Sequence, residues 1–355
     1  MTWKRHGCIL LAFLLLTGWA SAQTPEHSSQ SETSQKAAGE QQAGSARDKI
    51  RVRSDLVVLS VTVRDGNGDL VSGLQQEDFQ VFDDNVEQKI TAFSAESLPL
   101  SLVILVDNDM KWKEGTEMTR SLVAIAGGIS ATDEAMVCRY DMLFYPGDKF
   151  TSVSGNLIDA LKATQSAAAP SPQYIPQPVR TDRSSTSGPP AIAAPAYAGS
   201  RPSKAVDDAL YSAAELLQDR GGDRRKVILI VSDGANEPKL NHHTHGEVAE
   251  LLLKRNVTVY SVAVGADRAA RKFAGLADYA AATGGDVFYA TKSAAMENLY
   301  PQIAEQARHD YTIAYQPAEN SKHANFHAVR VTAGAELTAS TRSGYYTDDS
   351  GALEH

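Results

Sequence analysis

Three carboxylates stand where apolar runs of the chain end. Asp107 directly follows Ser101 to Val106 (SLVILV), Asp109 lies two residues further on, and Asp233 follows VILIVS. If the two runs are parallel strands of one open sheet, both ends share an edge, and that edge is where α/β sheets build their sites. Two or three carboxylates there make a cradle for a hard divalent cation such as Mg²⁺, which takes oxygen ligands and keeps several waters. The same residues also read as punctuation, with Asp233-Gly234 a strand-end turn and Asp107-Asn108-Asp109 a solvated loop.

His242-His243-Thr244-His245 offers nitrogen ligands for zinc or nickel. No cysteine or carboxylate is clearly placed to complete a structural site, so the cluster reads as a solvated loop ahead of a helix. His309-Asp310 and His323 read as surface or strand-end residues. Nucleophilic chemistry lacks its motif. There is no G-x-S-x-G elbow, Ser232 lies in a buried strand end, and neither phosphate-binding glycine pattern occurs. No catalytic and no cofactor-binding residue is therefore expected.

The elements that must position the carboxylates follow from periodicity. SLVILV, Val227 to Val231 (VILIV) and Val257 to Val264 (VTVYSVAV) are apolar without alternation, as strands covered on both faces are. Between them Val206, Ala209, Leu210, Ala213 and Leu217 recur at helical spacing, and so do Val248, Leu251 and Leu252. Residues 273–282 and 294–308 also predict helices, and Thr283-Gly284-Gly285 stops the first of them before a strand at Asp286 to Ala290. Strand and helix alternating over about 200 residues predict an α/β fold with a doubly wound, mostly parallel sheet.

The flanks differ. In residues 55–65 (DLVVLSVTVRD), Val57, Leu59, Val61 and Val63 fall on one face and Ser60, Thr62 and Arg64 on the other. After the turn Asp65-Gly66-Asn67-Gly68, strands are expected around Phe79 to Phe82 and Ile90 to Phe93, with a turn at Asp83-Asp84-Asn85. This is a small antiparallel module with one buried and one wet face. Beyond Arg308, YTIAYQP, FHAVRVTA and TASTRSGYY predict three more strands, and Tyr345-Tyr346 is a candidate exposed aromatic contact. The expected organisation is an N-terminal β segment at 50–97, an α/β domain at 98–307, and a C-terminal β segment at 308–347 that packs with the first, followed by a tail at 348–355. Residues 165–203, rich in Ala, Pro, Ser and Thr with six prolines from Pro170 to Pro190, read as a flexible insertion.

Lys4 and Arg5, the apolar run Cys8 to Leu16 and the small residues Ala20-Ser21-Ala22 predict a cleaved export signal at 1–22. Residues 23–49, with no aromatic, read as a disordered leader. Cleavage would leave 32 basic against 43 acidic residues, a charge of −11, which disfavours nucleic acid as a partner. No later stretch is apolar enough to insert in a membrane. Cys138, the one cysteine of the mature chain, lies in an apolar run and is expected to be buried rather than reactive.

LPLSLVILVDND, a helix, DDALYSAAELL, KVILIVSDG and VTVYSVAVG resemble a von Willebrand factor type A (VWA) domain in order and spacing. With VRDGNGDLVSGLQQEDFQVFDDNVEQKITAFS before and YTIAYQPAE, FHAVRVTA and RSGYY after, the chain from about residue 50 to 347 resembles the bacterial secreted VWFA-related family first defined in acidobacteria. The resemblance implies a Rossmann-like α/β sheet carrying a metal-ion-dependent adhesion site, whose motif is Asp-x-Ser-x-Ser with a distant Thr and a distant Asp. Asp107 matches the first Asp and Asp233 the distant one. Asp109 and Lys111 stand where the two serines belong, and the Thr position falls near Ser203 or Lys204. The ligands implied for Mg²⁺ are thus Asp107, Asp109 and Asp233, with Ser203 as a fourth. A lysine cannot ligate a metal, so Lys111 could instead pair with Asp107 or Asp233 and fill the site. The expected protein is a secreted or periplasmic, non-enzymatic module that docks a protein ligand at the carboxyl edge of its sheet. The alternatives are a hydrolase using Asp107 and Asp233 as acid and base, and a purely structural envelope protein.

Overall fold

The computed structural model describes residues 56–108, 115–166, 204–265, 273–290, 293–317 and 325–347. The expected signal, leader and tail, His323 and residues 167–203 of the expected insertion lie outside them.

The central layer is a six-stranded sheet. Its strands, in chain order, are β5 (Leu100–Asp107), β6 (Glu134–Tyr140), β7 (Phe144–Tyr145), β8 (Arg225–Ser232), β9 (Val257–Val264) and β10 (Val287–Ala290). The spatial order is β10-β9-β8-β5-β6-β7, parallel except for the short edge strand β7. Successive side chains of one strand face opposite helical layers. Leu102, Ile104 and Val106 of β5 enter one core with Leu122 and Ile125 of α1 (Gly115–Gly127), Leu157 and Leu161 of α2 (Ser154–Ser166), and Tyr300 and Ile303 of α6 (Ser293–His309). Val103 and Leu105 enter the other with Leu210 of α3 (Val206–Leu216), Leu252 of α4 (His245–Lys254) and Tyr279 of α5 (Ala274–Thr283). Burial on both faces is why these strands read as unbroken apolar runs. The sequence-predicted α/β class with its mostly parallel sheet is the observed one, although α2 takes the first two residues of the expected insertion. Cys138 is buried in the second core, and burial pushes its thiol up to about 12, so it stays protonated.

Two four-stranded antiparallel sheets sit beside this layer and share one core. The first contains β1 (Val57–Arg64), β4 (Ile90–Ser94), β11 (Tyr311–Tyr315) and β13 (Thr338–Ser340), in the order β13-β1-β11-β4. The second contains β2 (Phe79–Asp83), β3 (Val86–Gln88), β12 (Phe326–Ala333) and β14 (Gly344–Tyr346), in the order β14-β12-β2-β3. Segments from both ends of the chain pair directly, with Val61 opposite Tyr311 and Val81 opposite Val331. Phe79, Phe93 and Tyr311 close the core with ring centroids 5.1–5.8 Å apart.

The structure corrects three expectations. TASTRSGYY is two strands in different sheets, not one. The chain turns the corner at residues 341–343, where Thr341 Oγ1 donates to the Ser60 carbonyl at 2.8 Å and the Ser343 amide to the Ala282 carbonyl at 2.8 Å. Gly344 permits the close approach that follows, because a Cβ there would press into the His327 carbonyl oxygen. Gly344→Ala is therefore expected to lower stability by roughly 1–3 kcal/mol, as overpacking does; an unchanged urea midpoint would refute this. The second face of β1 is not uniformly wet: Thr62 is buried and donates to Asp310 Oδ1 at 2.5 Å, while Arg225 of β8 reaches Ser60 Oγ and the Asp310 carbonyl. Asp310, the strand-end residue just before β11, is accordingly buried at this junction. Finally, Tyr345 is buried and its hydroxyl donates to Asp83 Oδ2, so it is no exposed contact.

Candidate functional site

The chain leaves β5 toward β6 on one side and reaches β8 and β9 on the other, so the sheet order reverses between β5 and β8. Asp107 closes β5 and Asp233 directly follows β8, and the in-register pairing of Val106 with Val231 brings both to this switch point. Between them lies a group from elsewhere in the sequence. The fully buried Lys204 places Nζ 2.6 Å from Asp107 Oδ2 and 3.0 Å from Asp233 Oδ1. Its backbone is pinned by both neighbouring loops: the Lys204 carbonyl accepts from the Glu237 amide at 2.9 Å, and the next amide, Ala205, donates to the Asp141 carbonyl at 2.9 Å.

A polar relay completes the centre. Ser232 Oγ donates to Asp107 Oδ2 at 3.1 Å and accepts from the Tyr140 hydroxyl at 2.9 Å and the Gly234 amide at 3.0 Å. The Ala235 amide donates to Asp233 Oδ1 at 2.9 Å. Burial, then the charge of Asp107, holds the Tyr140 phenol well above its ordinary range, so it remains a donor. Ser232 is thus a link in this relay.

These residues, so arranged, do not fit a divalent cation. A Mg²⁺ ion sits about 2.0–2.1 Å from its oxygen ligands, and the ammonium already lies between the same two carboxylates. Of the sequence-predicted ligands, Asp107 and Asp233 are brought together through Lys204, whereas Asp109 and Ser203 lie outside the described residues, as does Lys111. The sequence signal for Lys204 is its place beside Ser203, the two residues near which the VWA resemblance puts a threonine.

Beside the Lys204 centre the rim is concave. A cavity of about 430 Å³ is lined by Asp207, Gly234, Asn236, Tyr279 and the His242–His245 loop. Asn236 and Asn241 tie the loop after β8 to the start of α3: Val206 N donates to Asn236 Oδ1 at 3.2 Å and Asp207 N to Asn241 Oδ1 at 2.9 Å. His242 and His243 each turn Nδ1 onto Asp208, at 2.8 and 2.9 Å, and their amides donate to the same carboxylate. Desolvation raises the Asp208 pKa, but these hydrogen bonds outweigh it and the carboxyl is held below its ordinary value. His243 stacks on Tyr211 and His245 on Tyr279. The histidines are therefore loop anchors, and among the described residues they belong to no group of three potential metal ligands. Thr244 caps α4 reciprocally with Glu247, which fixes the loop at its far end.

No protein-family model matches the chain, and no curated protein matches it. Among solved structures it is similar to the conserved hypothetical protein BatB from Bacteroides thetaiotaomicron, at 13% identity over 59% of this chain and 98% of that one, with a TM-score of 0.39. An aerotolerance-related membrane protein from Bacteroides fragilis is similar at 13% identity, 58% and 99% coverage, and a TM-score of 0.39. The VWA domain of SpRpn10 is similar at 12% identity, 58% and 95% coverage, and a TM-score of 0.36. The α/β architecture stands on the strand order and registers given above.

Proposed function

We propose that this chain is a non-enzymatic, exported protein-binding module of the VWFA-related kind, which docks a partner protein at the carboxyl edge of its central sheet without a divalent cation. The observation that carries the reading is Lys204. Its ammonium supplies a fixed positive charge between Asp107 and Asp233, where the VWA resemblance expects a metal. The adjoining cavity of about 430 Å³ and the anchored His242–His245 loop give the edge a preformed shape, and a preformed surface binds with less ordering to offset.

The hydrolase alternative fares less well. An acid–base pair must exchange protons with a substrate, whereas Asp107 is buried and engaged by Lys204 and Ser232. Export is supported by the pattern of residues 1–22.

Site-specific photo-crosslinking tests the reading. A crosslinker at the exposed rim residue His242 is expected to give a defined protein adduct in cells, undiminished by EDTA, while one at the exposed Glu87 of β3 is expected to give none. Adducts from Glu87 alone, or an adduct at His242 that EDTA abolishes, would overturn it.

A further inference from the structure

Strand β2 ends at Asp83, and the chain turns through Asp84 and Asn85, both with positive φ (47° and 66°), into β3. β12 runs alongside: the Ala328 amide donates to Asp84 Oδ1 at 2.9 Å, and the preceding residue, His327, is fully buried with Nδ1 2.8 Å from Asp84 Oδ2. Asp83 is also buried. Its Oδ2 accepts from the Tyr315 and Tyr345 hydroxyls at 3.0 and 2.8 Å, but its Oδ1, equally shielded from water, has no hydrogen-bond donor. A shielded carboxylate oxygen without a partner is unfavourable, and such groups are rare in folded proteins. One oxygen of each carboxylate and a ring nitrogen of His327 lie within 4.8 Å of one another.

We propose that Asp83, Asp84 and His327 form a zinc site that staples the β2–β3 turn to β12. The donor set carries the choice of ion. Two carboxylate oxygens and one imidazole nitrogen suit Zn²⁺, whereas Mg²⁺ and Ca²⁺ take oxygen ligands. Ligand atoms about 2.1 Å from zinc stand roughly 3.4 Å apart, so the three groups need only small shifts. Asp84, with 46% of its side chain exposed, gives the ion its way in from solvent and has room to adjust. The surroundings orient the ligands as outer groups at metal sites do. Two tyrosines hold Asp83 Oδ2, and Oδ1 is the oxygen that no donor engages. His327 Nε2 lies 3.3 Å from Thr347 Oγ1; with the proton on that nitrogen, Nδ1 turns its lone pair to the metal. The ion would join residues some 240 positions apart, where a crosslink restrains the unfolded chain most.

Calorimetric titration of ZnCl₂ into the chelator-treated full chain tests this, with MgCl₂ in parallel. One zinc per chain is expected, with Asp84→Asn weakening it at least tenfold, and with no response to Mg²⁺. Asp84→Asn keeps the side-chain shape at a partly exposed position, and a circular dichroism spectrum like that of the wild type certifies its fold. Zinc is also expected to raise the Tm of the wild type and not that of Asp84→Asn. The double variant His242→Ala/His243→Ala is expected to bind zinc like the wild type. Absence of zinc binding would overturn the proposal, leaving His327 and Asp84 as a hydrogen-bonded pair only. Zinc binding unaffected by Asp84→Asn, or lost in the His242/His243 variant, would overturn it as well.

Discussion

Replacing Lys204 with alanine is expected to destabilise the protein by roughly 3–5 kcal/mol, the usual consequence of removing one partner from a buried ion pair. The cause is charge before packing. With the ammonium gone, Asp107 and Asp233 face each other across the switch point with less compensation, and Asp107 is shielded from water. Lys204→Met separates the two contributions, because it keeps most of the apolar stem and removes only the charge. Urea unfolding of the three proteins at neutral pH, free of divalent ions, reads the effect. Lys204→Thr carries the argument further, since it opens the position between Asp107 and Asp233 and supplies a hydroxyl there. That variant is expected to gain stability with Mg²⁺, by about 1.4 kcal/mol for each tenfold increase above its Kd, whereas the wild type is expected to be indifferent. A loss below about 1 kcal/mol in Lys204→Met, or Mg²⁺ stabilisation of the wild type, would defeat the idea that the lysine stands in for the ion.

Asp310 is expected to make the fold less stable as the solution becomes neutral. Full burial pushes its carboxyl up to about 6, against the opposing charge of Arg225 and the hydrogen bond from Thr62. A folded-state pKa above the unfolded value of 3.8 means that the fold prefers the protonated acid. Its contribution is therefore fully present below about pH 4 and is lost as pH rises through about 6. Asp310→Asn keeps the shape and does not titrate, so it cancels the other carboxylates from the comparison. The stability of the wild type relative to Asp310→Asn should fall by roughly 2 kcal/mol between pH 4 and pH 7.5. Parallel stability curves for the two proteins across that range would contradict this, as would a difference of the opposite sign. The residue joins β1 and β8 through Thr62 and Arg225, so the penalty falls where the β sheets meet the α/β layer.

The sequence by itself determined the local order of this protein. Unbroken apolar runs at SLVILV, VILIV and VTVYSVAV announced strands covered on both faces, and the helical spacing from Val206 to Leu217 announced the layer that covers one of them, because side-chain periodicity is a local property of the backbone. It also placed Asp107 and Asp233 at strand ends. What only the tertiary structure decided were relations between segments far apart. Lys204 meets Asp107 across 97 positions because β8 lies next to β5 in the sheet, and nothing in the spacing of either residue states that order. Thr62 looked solvent-facing because alternation marks two faces without saying that a second layer covers the polar one. TASTRSGYY looked like a single strand because the corner at residues 341–343 is held by Ser60 and Ala282, partners remote in the chain. In each case the pattern fixed which way a side chain points, and the strand order fixed what it meets there.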